Sequence, residues 1–486
     1  MTLPSSLSTA SGLPAASIAS ATVQTSERPQ RPASRVALLV VGTFLLSFLI
    51  ISLRNLEPLT YPVIFAEDGT WVGELFVHNF AVVAFRGKDF PTFGTVLLQQ
   101  FSIWLFHVLP GGVLRLPLAI YLVSNAFTAS IASIAMLSSR RFLSPLTRFG
   151  MWAAVVLMPV GIDGNEIFGR ILNLGFLFPA LQTLLLGRVF ANRQSTPTMM
   201  VALLACLACG WTFPVSTGIT GIAALLLIHR TGQRRFPVIP WQTWALLAVV
   251  ALSILPLRAV SFSQGGAAMP YVPAGMTEFA FARVVLFPFV ALVYPHLKDP
   301  IVLTIAIVLA ILLGMSCVGF SRTTHDRRRF AIFFIASFLV YALATIVMRK
   351  GLTSLLNGQY ANTFPDRYFY GVNVLAVFAL LVTVAIVPTS ARVKVWVPSL
   401  WLILSFVQPL LLKNVFELSH PTMTWRSHGT WQRELCAAAH DRGTVAIDWN
   451  VPVNKIATYP WGGPDVWAMY FPTKILEALR TSKACD

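Results

Sequence analysis

Long apolar runs separated by short polar connections organise most of the chain. The first covers 36–53, and others lie near 112–137, 149–162, 171–187, 198–213, 214–228, 241–257, 301–320, 330–348, 369–388 and 395–412. A helix of roughly 20 apolar residues crosses a bilayer, so these runs predict about eleven crossings. Two shorter apolar stretches, 94–109 and 281–297, are interrupted or flanked by proline. Residues 1–34 are rich in Ser, Thr, Ala and Pro, the composition of a disordered tail. No small-residue cleavage site follows the first run, which therefore reads as a retained helix. Past 413 the chain is too polar to span. There, 430–440 predicts a helix stopped at Gly443, 444–449 alternates like a strand, and 465–479 predicts a second helix. The expected fold is an all-α polytopic membrane protein in three parts. These are a cytoplasmic tail (1–34), a transmembrane domain (35–413) whose first extracytoplasmic loop is 54–111, and a small α+β extracytoplasmic region (414–486).

Composition removes the soluble alternatives. Hydrophobic residues make up 56% of the 486 and charged ones 11%, against about 25% charged in an average soluble domain. A soluble enzyme, an RNA-binding protein and a disordered scaffold are all excluded. The net charge of +17 then becomes a question of sidedness, because cytoplasmic loops collect Lys and Arg. With the N-terminus cytoplasmic and neither short stretch crossing, the cytoplasmic connections hold seventeen basic residues against two acids, Glu27 and Asp326. Letting either short stretch cross would move Arg327, Arg328 and Arg329 outside. Both are therefore expected as interfacial or re-entrant helices on the outer face. The basic excess reports topology, and no nucleic-acid partner is expected.

Few residues are left to carry chemistry. The first outer loop opens Ala66-Glu67-Asp68-Gly69-Thr70. Adjacent carboxylates at a membrane surface suit a general base or a divalent metal ion, and they equally suit an ordinary helix start. Asp163, Asn165, Glu166, Arg170 and Asn173 form a second outer group. They are candidates for holding an acceptor or a metal, or are simply solvated polar residues. Before the tenth run the chain reads Pro365-Asp366-Arg367-Tyr368-Phe369. An arginine at that edge can fork onto a phosphate, or snorkel within an aromatic belt. Arg283 and Arg258 are weaker candidates of the same kind. Cys206 and Cys209 sit in an apolar run with no His or second pair nearby, which disfavours zinc or redox use. Gly210-Trp211-Thr212-Phe213-Pro214 marks a tight outer turn or a broken helix. Cys436 and Cys485 can pair in an oxidising compartment.

Taken together, this layout resembles the GT-C superfamily of integral-membrane glycosyltransferases. More narrowly, it is similar to bacterial polytopic proteins with an Ala-Glu-Asp-Gly motif after the first span, a Gly/Pro turn between two short spans and a late Arg-Tyr-aromatic motif. The resemblance covers most of the chain as layout and some dozen residues as motif. It implies a protein of the bacterial inner membrane that moves a sugar from a polyprenyl-phosphate donor to a glycan, lipid or protein acceptor of the cell envelope. Asp68 or Glu67 would be the base, and Arg367, with Tyr368 and Arg283, would hold the donor phosphate. A divalent metal requirement stays open. The competing classes are a flippase or transporter of lipid-linked glycan, which should carry ionisable groups at mid-membrane, and an O-antigen polymerase or ligase.

Overall fold

The computed structural model describes residues 33–60, 62–64, 66–85, 92–161, 167–191, 196–232, 241–256, 271–356, 360, 366–416, 430–440, 453–457, 468–482 and 485. The chain divides into Met1–Leu39 and Val40–Asp486, and only the first turns of one helix are described in the former. Helices dominate: α1 (Ala33–Arg54), α2 (Ala66–Val77), α3 (Phe93–Val108), α4 (Leu116–Leu137) and α5 (Pro145–Val156). A 3-10 helix, Leu172–Leu177, leads straight into α6 (Phe178–Ala191). Then come α7 (Thr196–Gly210), α8 (Pro214–Gly232), α9 (Trp241–Ile254), α10 (Asp299–Phe320), α11 (His325–Met348), α12 (Arg367–Ile386) and α13 (Ala391–Phe416).

Among the described residues, 7 stretches suffice by length and composition to cross a membrane: Ala37–Arg54, Gly112–Leu137, Leu172–Ala191, Pro273–Val290, His325–Met348, Arg367–Ile386 and Ala391–Leu412. Leu45 and Leu49 on α1, Ile307 and Met315 on α10, and Leu400 and Leu410 on α13 point outward. Apolar belts of this kind need a lipid solvent, and the protein is a helical membrane protein. The expected run 149–162 is a helix only to Val156.

Contacts sort the helix ends into two groups. At one end, called upper here, the Arg54 guanidinium donates to the carbonyls of Val156 and Met158, both at 2.7 Å. The Tyr370 hydroxyl reaches the Val155 carbonyl there at 2.5 Å. Trp211 donates to the Leu252 carbonyl, so α7 and α9 also end at this level. At the lower end, Arg148 donates to Met136, and Gly319 lies against Val387. The long helices α1, α4, α5 and α6 therefore alternate in direction, as do α10 to α13, while α2 and α3 stay at the upper end. Arg140, Arg141, Arg148, Arg322, Arg327, Arg328, Arg329 and Arg392 all belong to the lower end.

The stretch 273–299 is the informative exception. It is apolar and long enough to cross, yet both its ends are upper. Val272 donates to the Thr353 hydroxyl at 2.9 Å, and Tyr360 donates to Asp299 at 2.7 Å. Between them a π-helix (Glu278–Leu286) descends until Phe289 meets Trp401 at mid-bundle. The chain then climbs back, and Tyr294 donates to Glu278 at 2.7 Å. The helix runs on through Pro288 to Val290, and the Pro288 carbonyl near the bottom accepts from Gln408 at 2.9 Å.

Beyond α13, α14 (Trp431–His440) and α15 (Thr473–Thr481) flank two antiparallel strands, β1 (Val453–Ala457) and β2 (Ala468–Pro472), with Lys455 opposite Tyr470. The expected helix over 465–479 is thus corrected: its described first part is strand. Met469 and Phe471, two residues apart on one strand, are both buried, and Pro472 precedes α15. The expected strand at 444–449 lies outside the described residues. Cys436 and Cys485 form a disulfide with Cα atoms 5.4 Å apart. Phe471 packs edge-on against Phe76, and the Trp431 indole donates to Val113, which seats this region on the first loop.

Candidate functional site

The centre of the upper end is the 3-10 helix 172–177. Gly169 adopts φ +77 just before it, and a Cβ there would lie 2.5 Å from the Tyr121 ring, so only glycine makes this turn. The turn delivers the first N–H groups of the 3-10 helix to Asp68. Its carboxylate is fully buried and accepts from Leu172 N at 2.8 Å and Ile171 N at 3.3 Å. The Gln99 amide of α3 donates to the same carboxylate at 2.6 Å. Asp68 also lies in the first turn of α2, so two helix N-termini complement its charge. Adjacent Arg170 is buried and donates to the Val63 carbonyl at 3.3 Å, while its own carbonyl accepts from Ser124.

The far end of the same 3-10 helix meets the late motif. Phe176 packs edge-on against Tyr368 at 5.2 Å and against Phe213 at 5.6 Å. Tyr341 donates to the Phe176 carbonyl at 2.9 Å. The turn 211–213 is tied in further, because the Thr212 hydroxyl accepts from Gly94 N at 2.7 Å at the start of α3. The three motifs read from the sequence, at 66–70, 210–214 and 366–369, thus converge on one short segment. From Leu172, which donates to Asp68, to Phe176, which packs on Tyr368, is four residue steps, about 8 Å along the helix axis.

Two arginines bracket the Tyr368 ring. The Arg367 guanidinium lies 5.1 Å from its centroid, and that of Arg349 lies at 4.7 Å. Both side chains are partly exposed, and Lys350 beside them is exposed. Arg349 was not singled out in the sequence, although it stands at the end of an apolar run just as Arg367 does.

Arg283 is placed differently from Arg367. It is buried, pairs with Asp366 at 2.5 Å, and lies 4.0 Å from the Phe287 centroid and 4.6 Å from that of Phe369. Asn373 donates to the Arg283 and Val284 carbonyls. This cluster fixes Asp366, and with it the start of α12 and the direction of Arg367. Nearby, burial and the Asp299 carboxylate hold the Tyr360 phenol well above its usual range, so it remains a donor.

The side chain of Glu67, together with Asp163, Asn165, Glu166 and Arg258, lies outside the described residues. Among the described residues no three His, Cys, Asp or Glu side chains converge as a metal site would require. No protein-family model matches this chain, and no curated protein matches it.

Proposed function

We propose that this protein is a membrane glycosyltransferase that takes a sugar from a polyprenyl-phosphate donor at its upper, extracytoplasmic end and passes it to a cell-envelope glycan, lipid or protein. The observation that carries the reading is the convergence of the first-loop acid, the 210–214 turn and the Arg367-Tyr368 pair on the 3-10 helix 172–177. Sugar transfer from a lipid phosphate needs a base on the acceptor hydroxyl and cations at the phosphate that leaves, both within the width of one sugar. Arg349 and Arg367 supply a two-armed cation whose charge opposes the negative charge that grows on the departing phosphate. Asp68 organises the other side, and the base is a first-loop carboxylate, Asp68 or its neighbour Glu67. The basic lower end and the upper-end disulfide favour placing the lower end in the cytoplasm and the site outside it.

The test is sugar transfer by purified protein in liposomes supplied with polyprenyl-phosphate sugars. Arg349→Lys and Arg367→Lys keep the charge but lose the planar fork, so each should raise the donor KM about tenfold, the weight of one charge-assisted hydrogen bond. Glu67→Gln should lower kcat about 10²-fold if Glu67 is the base. Unchanged transfer in both arginine variants, or no transfer from any polyprenyl-phosphate sugar, would overturn the reading.

A further inference from the structure

The lower end holds a feature that the transfer reading does not use. A cavity of about 400 Å³ opens between the turn 138–143 and the start of α11. It is lined by Arg141 and Phe142 from the first element and by Thr324, His325, Asp326 and Arg327 from the second. Two arginines thus face one hollow from separate parts of the chain, with a single carboxylate, Asp326, beside them. Arg141 lies 5.3 Å from the Phe142 ring centroid and reaches the Ala191 carbonyl at 3.5 Å. Thr324 caps α11 without a side-chain hydrogen bond, so the first N–H groups of α11 add a partial positive charge at the rim.

Topology alone explains why arginines gather at this end, but it explains neither the hollow nor the turn that builds one of its walls. Ser139 has φ 50, a left-handed backbone that residues with a Cβ rarely adopt, and its buried hydroxyl has no hydrogen-bond partner among the described residues. That strained residue leads directly into Arg140 and Arg141. The outward apolar surface of α10 descends toward the same end, with Ile311 58% and Met315 66% exposed. Met315 is five residues from Phe320, about 7.5 Å along the helix.

We infer that this cavity is a binding site for the phosphate group of an anionic amphiphile, with Arg141 and Arg327 holding the phosphate and the acyl chains lying along α10. The chemistry recognised is a phosphate beside apolar surface, and its source is the headgroup of an anionic membrane lipid. Each arginine near such a surface contributes about fivefold in affinity.

Binding is measured on the purified full-length protein in detergent, by native mass spectrometry and by thermal shift, with phosphatidylglycerol, phosphatidylcholine or inorganic phosphate added separately. Phosphatidylglycerol should bind and raise the midpoint, and phosphatidylcholine should not. Arg141→Gln and Arg327→Gln should each weaken phosphatidylglycerol about fivefold. Arg392→Gln removes one charge at the same end without touching the cavity, and should leave binding unchanged. Midpoints without lipid show that the variants are folded. Inorganic phosphate acting as well as the lipid would overturn the assignment to an amphiphile and leave a soluble anion site. Equal loss in Arg392→Gln, or no loss in either cavity variant, would overturn the site itself. None of these outcomes depends on sugar transfer.

Discussion

Gly371→Ala is a one-carbon test of how the upper end is built. Gly371 lies in the second turn of α12, where that helix approaches the backbone of the 3-10 helix. A Cβ there would press into the Phe176 carbonyl oxygen, far inside van der Waals contact, and would stand 2.8 Å from both the Phe176 carbonyl carbon and the Tyr341 hydroxyl. A backbone carbonyl cannot rotate away as a side chain can, so α12 or the 3-10 helix must retreat. Overpacking of this kind costs about 3 kcal/mol at the upper end of its usual range. Displacing the Tyr341 hydroxyl from Phe176 adds about 1 kcal/mol. The better helix propensity of Ala returns about 1 kcal/mol, which leaves a net loss of about 3 kcal/mol. Gly314→Ala in α10 is the control, since no atom lies within 4 Å of its Cβ and only the propensity gain remains. Thermal unfolding in detergent should show a lowered midpoint for Gly371→Ala and an unchanged or raised one for Gly314→Ala. Transfer should fall with the first, because Tyr368 and the Asp68 donors share the displaced segment. A wild-type midpoint and wild-type transfer in Gly371→Ala would refute this account of the packing.

Three further outcomes are expected. Asp68→Asn places an amide donor against Ile171 N if it keeps the shared acceptor for Leu172 and Gln99; it should cost about 2 kcal/mol in unfolding titrations as well as lowering transfer, and a wild-type midpoint would show that these hydrogen bonds are dispensable. Arg283→Met and Asp366→Leu each strand a buried charge and should each cost about 3–5 kcal/mol, whereas the double variant should lose much less than the sum; strict additivity in thermal unfolding would argue against the ion pair. Cys436→Ser opens a link spanning 49 residues, worth about 4 kcal/mol by chain entropy, and limited proteolysis should then cut the 431–485 region while the helix bundle resists; unchanged proteolysis would mean that the cap is held by packing alone.

The apolar runs and the basic connections were legible because the bilayer enforces both along the sequence. The acid, turn and Arg-Tyr motifs were legible as separate signals, since each pairs an unusual polar residue with a helix boundary. Their meeting on 172–177 was not, because that segment is itself apolar and nothing in its composition marks it as a hub. Gln99 escaped notice as one polar residue in the apolar stretch 94–109, and its partner lies 31 residues away. Arg349 was hidden by its resemblance to an ordinary flanking charge. Arg283 and Asp366 showed no sequence relation across 83 residues, yet together they set the direction of α12. The strand 468–472 was read as helix because helix formers follow it immediately. There the burial of Met469 and Phe471 and the packing of Phe471 on Phe76 outweighed local propensity.

The seating of Phe471 and Trp431 on the first loop sets an order of assembly. Helix α2 leaves the ribosome well before β2. Roughly 400 residues separate them, an interval of about 20–80 s at ordinary synthesis rates. Throughout that time the Phe76 face has no partner from β2, whereas Cys436 waits for Cys485 over only 49 residues, about 2–10 s at the same rates. A chaperone or neighbouring protein that shields the nascent first loop would therefore act only within this window. Slowing synthesis between α13 and β2 should lengthen it, so codon usage in that stretch of the message should change the yield of folded protein.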